Sequence, residues 1–116
     1  GGKVPNYAAA DVDAACALLK AAGLREQVMV DVSHANSSKQ HQKQIEVAAN
    51  VAQQIAAGDR RITGLMVESH LEEGRQDIVP GQPLKVGVSV TDACISMAQT
   101  VPVLEGLAAA VRARRG

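Results

Sequence analysis

The stretch Ile62-Thr63-Gly64-Leu65-Met66-Val67-Glu68-Ser69-His70-Leu71-Glu72-Glu73-Gly74-Arg75-Gln76 decides how this chain is read. It is a short aliphatic run that ends at a carboxylate and passes at once into a charged, Gly-containing loop. An α/β fold sets a reactive side chain at the carboxyl edge of a parallel sheet in this way, where loops rather than packing decide the chemistry. The design recurs upstream, where Val28-Met29-Val30-Asp31-Val32 delivers Ser33-His34-Ala35-Asn36-Ser37-Ser38 to the same edge. A third acidic site, Thr91-Asp92-Ala93-Cys94, follows a later run. One imidazole and two carboxylates, His34, Glu68 and Asp92, at loop-facing strand ends suggest a divalent metal.

Around these strands the chain punctuates itself as βα repeats do. Gly1 to Ala10 reads as a loop, with turn signals at Gly1-Gly2 and Val4-Pro5-Asn6. Asp11 is a plausible N-cap for a helix to Ala22 that turns Val12, Ala15, Cys16, Leu19 and Ala22 inward and stops at Gly23. Gln27 to Val32 is nearly continuous in its hydrophobicity, which predicts a strand covered on both faces. Ser37 or Ser38 can cap a helix to Ala57, with Ile45, Ala48, Ala52 and Ile55 inward and Gly58 as its stop. Ile62 to Ser69 is the next strand. The order helix, strand, helix, strand predicts an α/β chain with a parallel sheet.

Beyond Glu68 the pattern changes. Pro80-Gly81 is a turn, and Leu84, Val86, Val88 and Val90 alternate with Lys85, Gly87 and Ser89 as in a half-exposed strand, so a β-hairpin excursion is expected there. Thr100 opens a last helix to Arg115, with Pro102 in its first turn and Val103, Leu104, Leu107 and Val111 packed. Arg112, Arg114 and Arg115 fall in its final turn, where cations favour the helix dipole, so the cluster reads as helix chemistry rather than a nucleic-acid patch.

Composition excludes several classes of function. With 116 residues, 47% of them apolar, the chain is at most one globular domain. Twelve basic and twelve acidic residues cancel, leaving no field to attract nucleic acid or an anionic bilayer. No apolar run is long enough to span a membrane, and no signal peptide is visible. Cys16 and Cys94 lie far apart without framework spacing, which predicts a reducing, cytoplasmic setting. The first residue is Gly rather than Met, so a processed or partial chain is expected.

The segments VDVSHANSSKQ, ITGLMVESHLEEGRQD and GVSVTDACI, with GGKVPNY at the start and AAAVRARRG at the end, closely resemble the C-terminal third of the type I 3-deoxy-D-arabino-heptulosonate 7-phosphate (DAHP) synthases. The resemblance covers essentially the whole chain. It implies that residues 1–116 are the C-terminal part of a single (β/α)8 TIM barrel, not a complete domain. The implied activity is the condensation of phosphoenolpyruvate with erythrose 4-phosphate to DAHP and phosphate, at the entry to aromatic amino-acid biosynthesis. That family binds a divalent metal through one Cys, His, Glu and Asp. By motif the His is His34 in SHANS, the Glu is Glu68 in ESHL and the Asp is Asp92 in TDAC, while the Cys follows the first barrel strand and is not in this chain. The mixed donor set suits Mn, Fe, Co or Zn rather than Ca. The resemblance also implies a cytoplasmic homo-oligomer, and a fragment that is inactive by itself. Ser96-Met97-Ala98-Gln99 departs from the family, which usually carries a Trp and acidic residues there.

Each site residue also has a plainer reading. His34 can be a hydrogen-bonded loop histidine, Glu68 a carboxylate paired with Arg75 or Lys39, and Asp92 the cap of a helical turn. Asp31, in an apolar strand, should be hydrogen-bonded, with a Lys or Arg inside the barrel as one partner. His70 reads as a neighbour of the site or a structural residue, His41 as surface, and Glu72, Glu73 and Arg75 as a solvated loop. Cys94 reads as a small buried apolar residue rather than a substitute thiolate. Two other functions stay open: a non-catalytic barrel-derived scaffold, and another metal-dependent aldolase or hydrolase.

Overall fold

The computed structural model describes residues 2–116, so half of the turn expected at Gly1-Gly2 lies outside the described residues. Three helices, α1 (Ala9–Ala21), α2 (Lys43–Ala56) and α3 (Met97–Arg115), alternate with short strands among these residues. Strand β1 (Val28–Asp31) pairs in parallel with β2 (Ile62–Met66), and β3 (Ser69–His70) pairs in parallel with β4 (Ile95–Ser96). The mixed α/β class and the parallel pairing follow the order of periodicities in the sequence.

One core joins these elements. Val30 and Val32 from the first strand segment, Ile62 and Ile95 from the others, and Val47, Ala48, Val51 and Ile55 from α2 are all buried. Val12 and Cys16 close it from α1, and Val103 and Ala110 from α3. Each fully buried Val or Ile contributes roughly 1.5–3 kcal/mol relative to an exposed one, which is why helix α2 packs as it does despite no side-chain cap. The glycine stops hold: Gly23 takes φ +72° and Gly58 φ +113° just past α1 and α2.

Several local expectations are corrected. Asp11 does not cap α1; Ala8 occupies that place, and Asp11 sits one turn in, accepting the Ala8 amide at 3.2 Å. Helix α2 begins at Lys43 rather than at Ser37 or Ser38, because a short 3-10 turn over His34–Ser37 intervenes. Ile45 is exposed, and Gln44, Val47 and Val51 face inward instead. Helix α3 starts at Met97 with Ser96 as its cap, its Oγ accepting from the Gln99 amide while Gln99 Oε1 accepts from the Ser96 amide. Thr100 is inside that helix and donates to the Ser96 carbonyl at 2.8 Å. Leu104 is exposed.

The strands differ too. Met29 is 69% exposed beside buried Val30, so β1 is covered on one face only. The strand predicted over Ile62 to Ser69 breaks after Met66, and Ser69 restarts as a separate strand beside Ile95. No strand forms over residues 84–90, so the excursion is not a β-hairpin. It is a loop closed by the Gln76 side chain, which donates to the carbonyls of Lys85 and Val88 and accepts the Lys85 amide. Val86 is 87% exposed, so the alternating pattern had no apolar surface to pack on.

The shape is a slab. Its radius of gyration is 16.2 Å and its extents are 54 × 30 × 18 Å, against roughly 13 Å for the radius of a compact domain of this length. Leu18, Leu24, Met29, Leu71 and Ile78 are each at least 60% exposed. No helix among the described residues is long and apolar enough to cross a membrane.

Candidate metal centre

The three residues singled out by sequence come together. His34 Nε2 lies 3.2 Å from Glu68 Oε1 and 3.4 Å from Asp92 Oδ2. One donor atom from each residue falls within a sphere where all separations are at most 4.8 Å. A pocket of about 30 Å³, lined by His34, Ser37, Lys39, His41, Glu68 and Asp92, lies against them.

Each donor is placed by its own segment. His34 follows β1 and takes φ +49°, a left-handed conformation that a non-glycine residue adopts only where its surroundings hold it. Here the Ser33 amide and hydroxyl bond Asp31 Oδ1, and buried Asn36 donates to the Asp31 carbonyl at 2.7 Å. Glu68 sits in the break between β2 and β3. Its amide donates to Gln44 Oε1 at 2.9 Å, and its carbonyl accepts from Gln44 Nε2 at 3.1 Å and from the Ile95 amide at 3.0 Å. Asp92 hangs between two ties: Arg75 Nε donates to the Thr91 carbonyl at 3.0 Å, and Cys94 exchanges two backbone bonds with Gly74.

The plainer readings fare differently on the same geometry: His34 is a hydrogen-bonded loop histidine, its Nδ1 2.9 Å from Ser33 Oγ and 2.8 Å from Asp31 Oδ2. Glu68 pairs with neither Arg75 nor Lys39; Arg75 binds Asp77 at 2.7 Å. Asp31 finds no Lys or Arg; its partners are Ser33 and the His34 ring, whose Nδ1 is 2.8 Å from Asp31 Oδ2. His70 is exposed, with Nδ1 accepting the Leu71 amide, and stands outside the cluster. His41 and Glu73 are not simply solvated: His41 Nε2 lies 3.1 Å from Glu73 Oε2, which also accepts from Gln99 Nε2. Cys94 is buried, its Sγ 3.5 Å from the Asp92 carbonyl, and burial pushes its thiol above the ordinary value. It therefore stays protonated.

Electrostatics describe a site short of positive charge. The Asp31 hydrogen bond, more than the pull of Glu68 and Asp92, raises the His34 imidazole above its ordinary value. Glu68 is raised by burial, with repulsion from Asp92 and Asp31 added and the attraction of His34 insufficient to cancel it. Nε2 faces two carboxylates, an arrangement that favours positive charge at this point. The donor set fits a transition metal: two ligands at about 2.1 Å, with tetrahedral to octahedral angles, stand roughly 3.0–3.4 Å apart, which brackets the spacings from Nε2. Imidazole with carboxylates suits Mn, Fe, Co or Zn.

Sequence reading missed Gln44 and Asn36. Gln44 had a visible signal: it shares one helical face with Ala48, Val51 and Ile55, so it is a polar group inside an apolar stripe, where a partner is obligatory. Asn36 had none, because it joins the nearby Asp31 carbonyl to the Asn6 amide, which is far away in the chain.

Comparison with known proteins agrees with the motifs. A model described as "DAHP synthetase I family" matches residues 1–105. The chain is 56% identical over 116 residues to the Phe-sensitive phospho-2-dehydro-3-deoxyheptonate aldolase of Escherichia coli strain K12, covering 100% of this chain and 33% of that one. It is 53% identical over 119 residues to the tyrosine-inhibited enzyme of Schizosaccharomyces pombe, covering 99% and 32%. The solved phospho-2-dehydro-3-deoxyheptonate aldolase of Francisella tularensis SCHU S4 superposes with a TM-score of 0.94 at 46% identity, over 100% of this chain and 33% of that chain. The chain thus spans about a third of the length of the relatives it matches. With the family model matched over residues 1–105, the chain belongs to the DAHP synthetase I family.

Proposed function

We propose that these residues form the metal-bearing part of a DAHP synthase, the first enzyme of the shikimate pathway, and that His34, Glu68 and Asp92 are its metal ligands. The observation that carries the reading is the convergence of one imidazole nitrogen and two carboxylate oxygens from three separate segments of the chain. In the reaction, the methylene carbon of phosphoenolpyruvate bonds to the aldehyde carbon of erythrose 4-phosphate, water adds, and inorganic phosphate leaves. A bound divalent cation supplies Lewis acidity for an aldehyde oxygen, or an activated water, at this position.

The chain's own residues prepare that position. Asp31 Oδ2 stands 2.8 Å from His34 Nδ1 as the carboxylate acceptor for an N–H there, which leaves Nε2 aimed into the site. Glu68 and Asp92 bring two negative charges toward Nε2, enough to neutralise a divalent cation. The His34 and Asp92 side chains are 45% and 67% exposed, so the donors open toward solvent, from which phosphorylated substrates arrive.

The slab shape supports a (β/α)8 barrel completed by further strands. Strands β1 and β2 have unpaired outer edges, and Met29 faces an uncovered side. We take residues 1–116 as part of that single domain. The exposed Leu71 and Ile78 also suit contact with a second copy in a homo-oligomer. Free Cys16 and Cys94 suit a reducing cytoplasm.

Turnover of phosphoenolpyruvate with erythrose 4-phosphate and Mn²⁺ tests the proposal. A polypeptide of the relatives' full length containing these residues should be active, its His34→Ala variant inactive, and the 116-residue chain alone without turnover. Full activity in the His34→Ala variant would refute the assignment.

A further inference from the structure

We propose that Gln44 is a positioning residue for the metal centre, fixing Glu68 through its backbone. The inference rests on the metal reading above but concerns a residue that supplies no ligand atom. Gln44 is 1% exposed, on the apolar face of α2. Its side-chain amide meets the Glu68 backbone twice, accepting from the amide at 2.9 Å and donating to the carbonyl at 3.1 Å. A planar amide reproduces here the paired donor and acceptor of a neighbouring strand, at the one place where the β-ladder is interrupted between Met66 and Ser69.

The location has a mechanical consequence. The Glu68 carbonyl accepts from the Ile95 amide as well, three residues after Asp92. Helix α2, for its part, is the next element after the turn His34–Ser37 that carries the imidazole, with residues 38–42 between them. Glu68's backbone is therefore the knot where the segments carrying all three donors are tied, and Gln44 is the only side chain among the described residues that ties it. A hydrophobic residue there would fill the space but leave a buried N–H without its partner and Glu68 free to shift. Buried polar groups pay heavily for lost partners, so the strand break would rearrange. A metal site tolerates little displacement of a ligand, and loss of supporting residues typically weakens metal binding about 10- to 100-fold.

The test is Mn²⁺ affinity, read from the free-ion paramagnetic resonance signal, in the full natural polypeptide carrying these residues. Gln44→Met should bind Mn²⁺ about 10- to 100-fold more weakly than wild type. Val51→Ala, about 10 Å along the same buried face at 1.5 Å per residue, should lose thermal stability yet keep wild-type affinity. Wild-type affinity in a folded Gln44→Met protein, or equal loss in Val51→Ala, overturns the proposal. Should Gln44→Met fail to fold, amide exchange in the wild type decides: strong protection of the Glu68 N–H is expected, and exchange at the rate of the open loop overturns it. Glu68→Ala separates the two readings. If it binds Mn²⁺ as wild type does, the metal assignment falls and the positioning role with it; if it binds weakly while Gln44→Met is unchanged, the positioning role alone falls.

Discussion

The Nδ1 atom of His34 lies 2.8 Å from Asp31 Oδ2 while Nε2 of the same ring faces Glu68 at 3.2 Å. The ring is thus held at one end by a carboxylate that is itself fixed by Ser33. Burial pushes the Asp31 carboxyl up, but the bonds from Ser33 and His34 outweigh it and leave Asp31 below its ordinary value, a charged acceptor at neutral pH. Asp31→Asn can present an N–H instead of an oxygen to Nδ1, which favours the wrong tautomer. The expected result is divalent-metal binding weaker by about 10- to 100-fold with the fold kept, measured by calorimetric titration alongside circular dichroism.

Gly74 takes φ +95° and exchanges both backbone bonds with Cys94, two residues from Asp92. Nothing lies within 4 Å of an added Cβ, so the cost of Gly74→Ala is conformational rather than steric. About 1–2 kcal/mol of stability should be lost, read from the urea midpoint. If the bridge sets the Asp92 loop, metal affinity falls as well; unchanged stability would show that the loop relaxes freely.

What could be read from sequence follows the range of the forces involved. His34, Glu68 and Asp92 were legible because each ends a hydrophobic run, and a short pattern suffices to mark such a place. Glycine stops at Gly23 and Gly58 were legible for the same reason. By contrast, the alternation through Leu84 to Val90 promised a strand, but a strand needs a neighbour, and the Gln76 side chain satisfies this backbone instead. Asp31 was rightly expected to be bonded, yet its partner came from the turn beside it rather than from a distant cation. Helix faces went wrong at Ile45 and Leu104 because periodicity allows several stripes. Which one is buried depends on what packs on it.

Ser96 and Gln99 cap α3 reciprocally, at 3.1 and 2.8 Å. Replacement of a capping Ser by Ala typically costs about 1 kcal/mol. Ser96→Ala should therefore lower stability by that amount, seen as a lower urea midpoint with the slope of the transition unchanged. Because Thr100, in the same first turn, meets the Ser69 hydroxyl at 2.6 Å, fraying would also loosen β3 just after Glu68. Amide exchange at Ser69 and His70 should quicken in the variant, and unaltered exchange would confine the effect to the helix end.

Acid stability turns on Asp59. Its carboxylate accepts from Arg61 Nε at 3.0 Å and from the Arg61 amide at 2.9 Å, while Arg114 reaches the Asp59 carbonyl from the last turn of α3. The Arg61 side chain, against the opposing effect of burial, holds the carboxyl below the ordinary 3.8. The folded state thus binds this proton more weakly than the unfolded chain does. Its stabilisation is fully present above the unfolded value and is lost as the pH falls through the lower folded one. With the side chain 13% exposed, Asp59→Asn should cost about 1 kcal/mol at pH 7, with solvent screening already allowed for. Toward pH 3 and below, the gap between variant and wild type should close. Urea titrations of both proteins at the two pH values check this, and a gap that persists in acid would mean that the Arg61 tie is not what the charge stabilises.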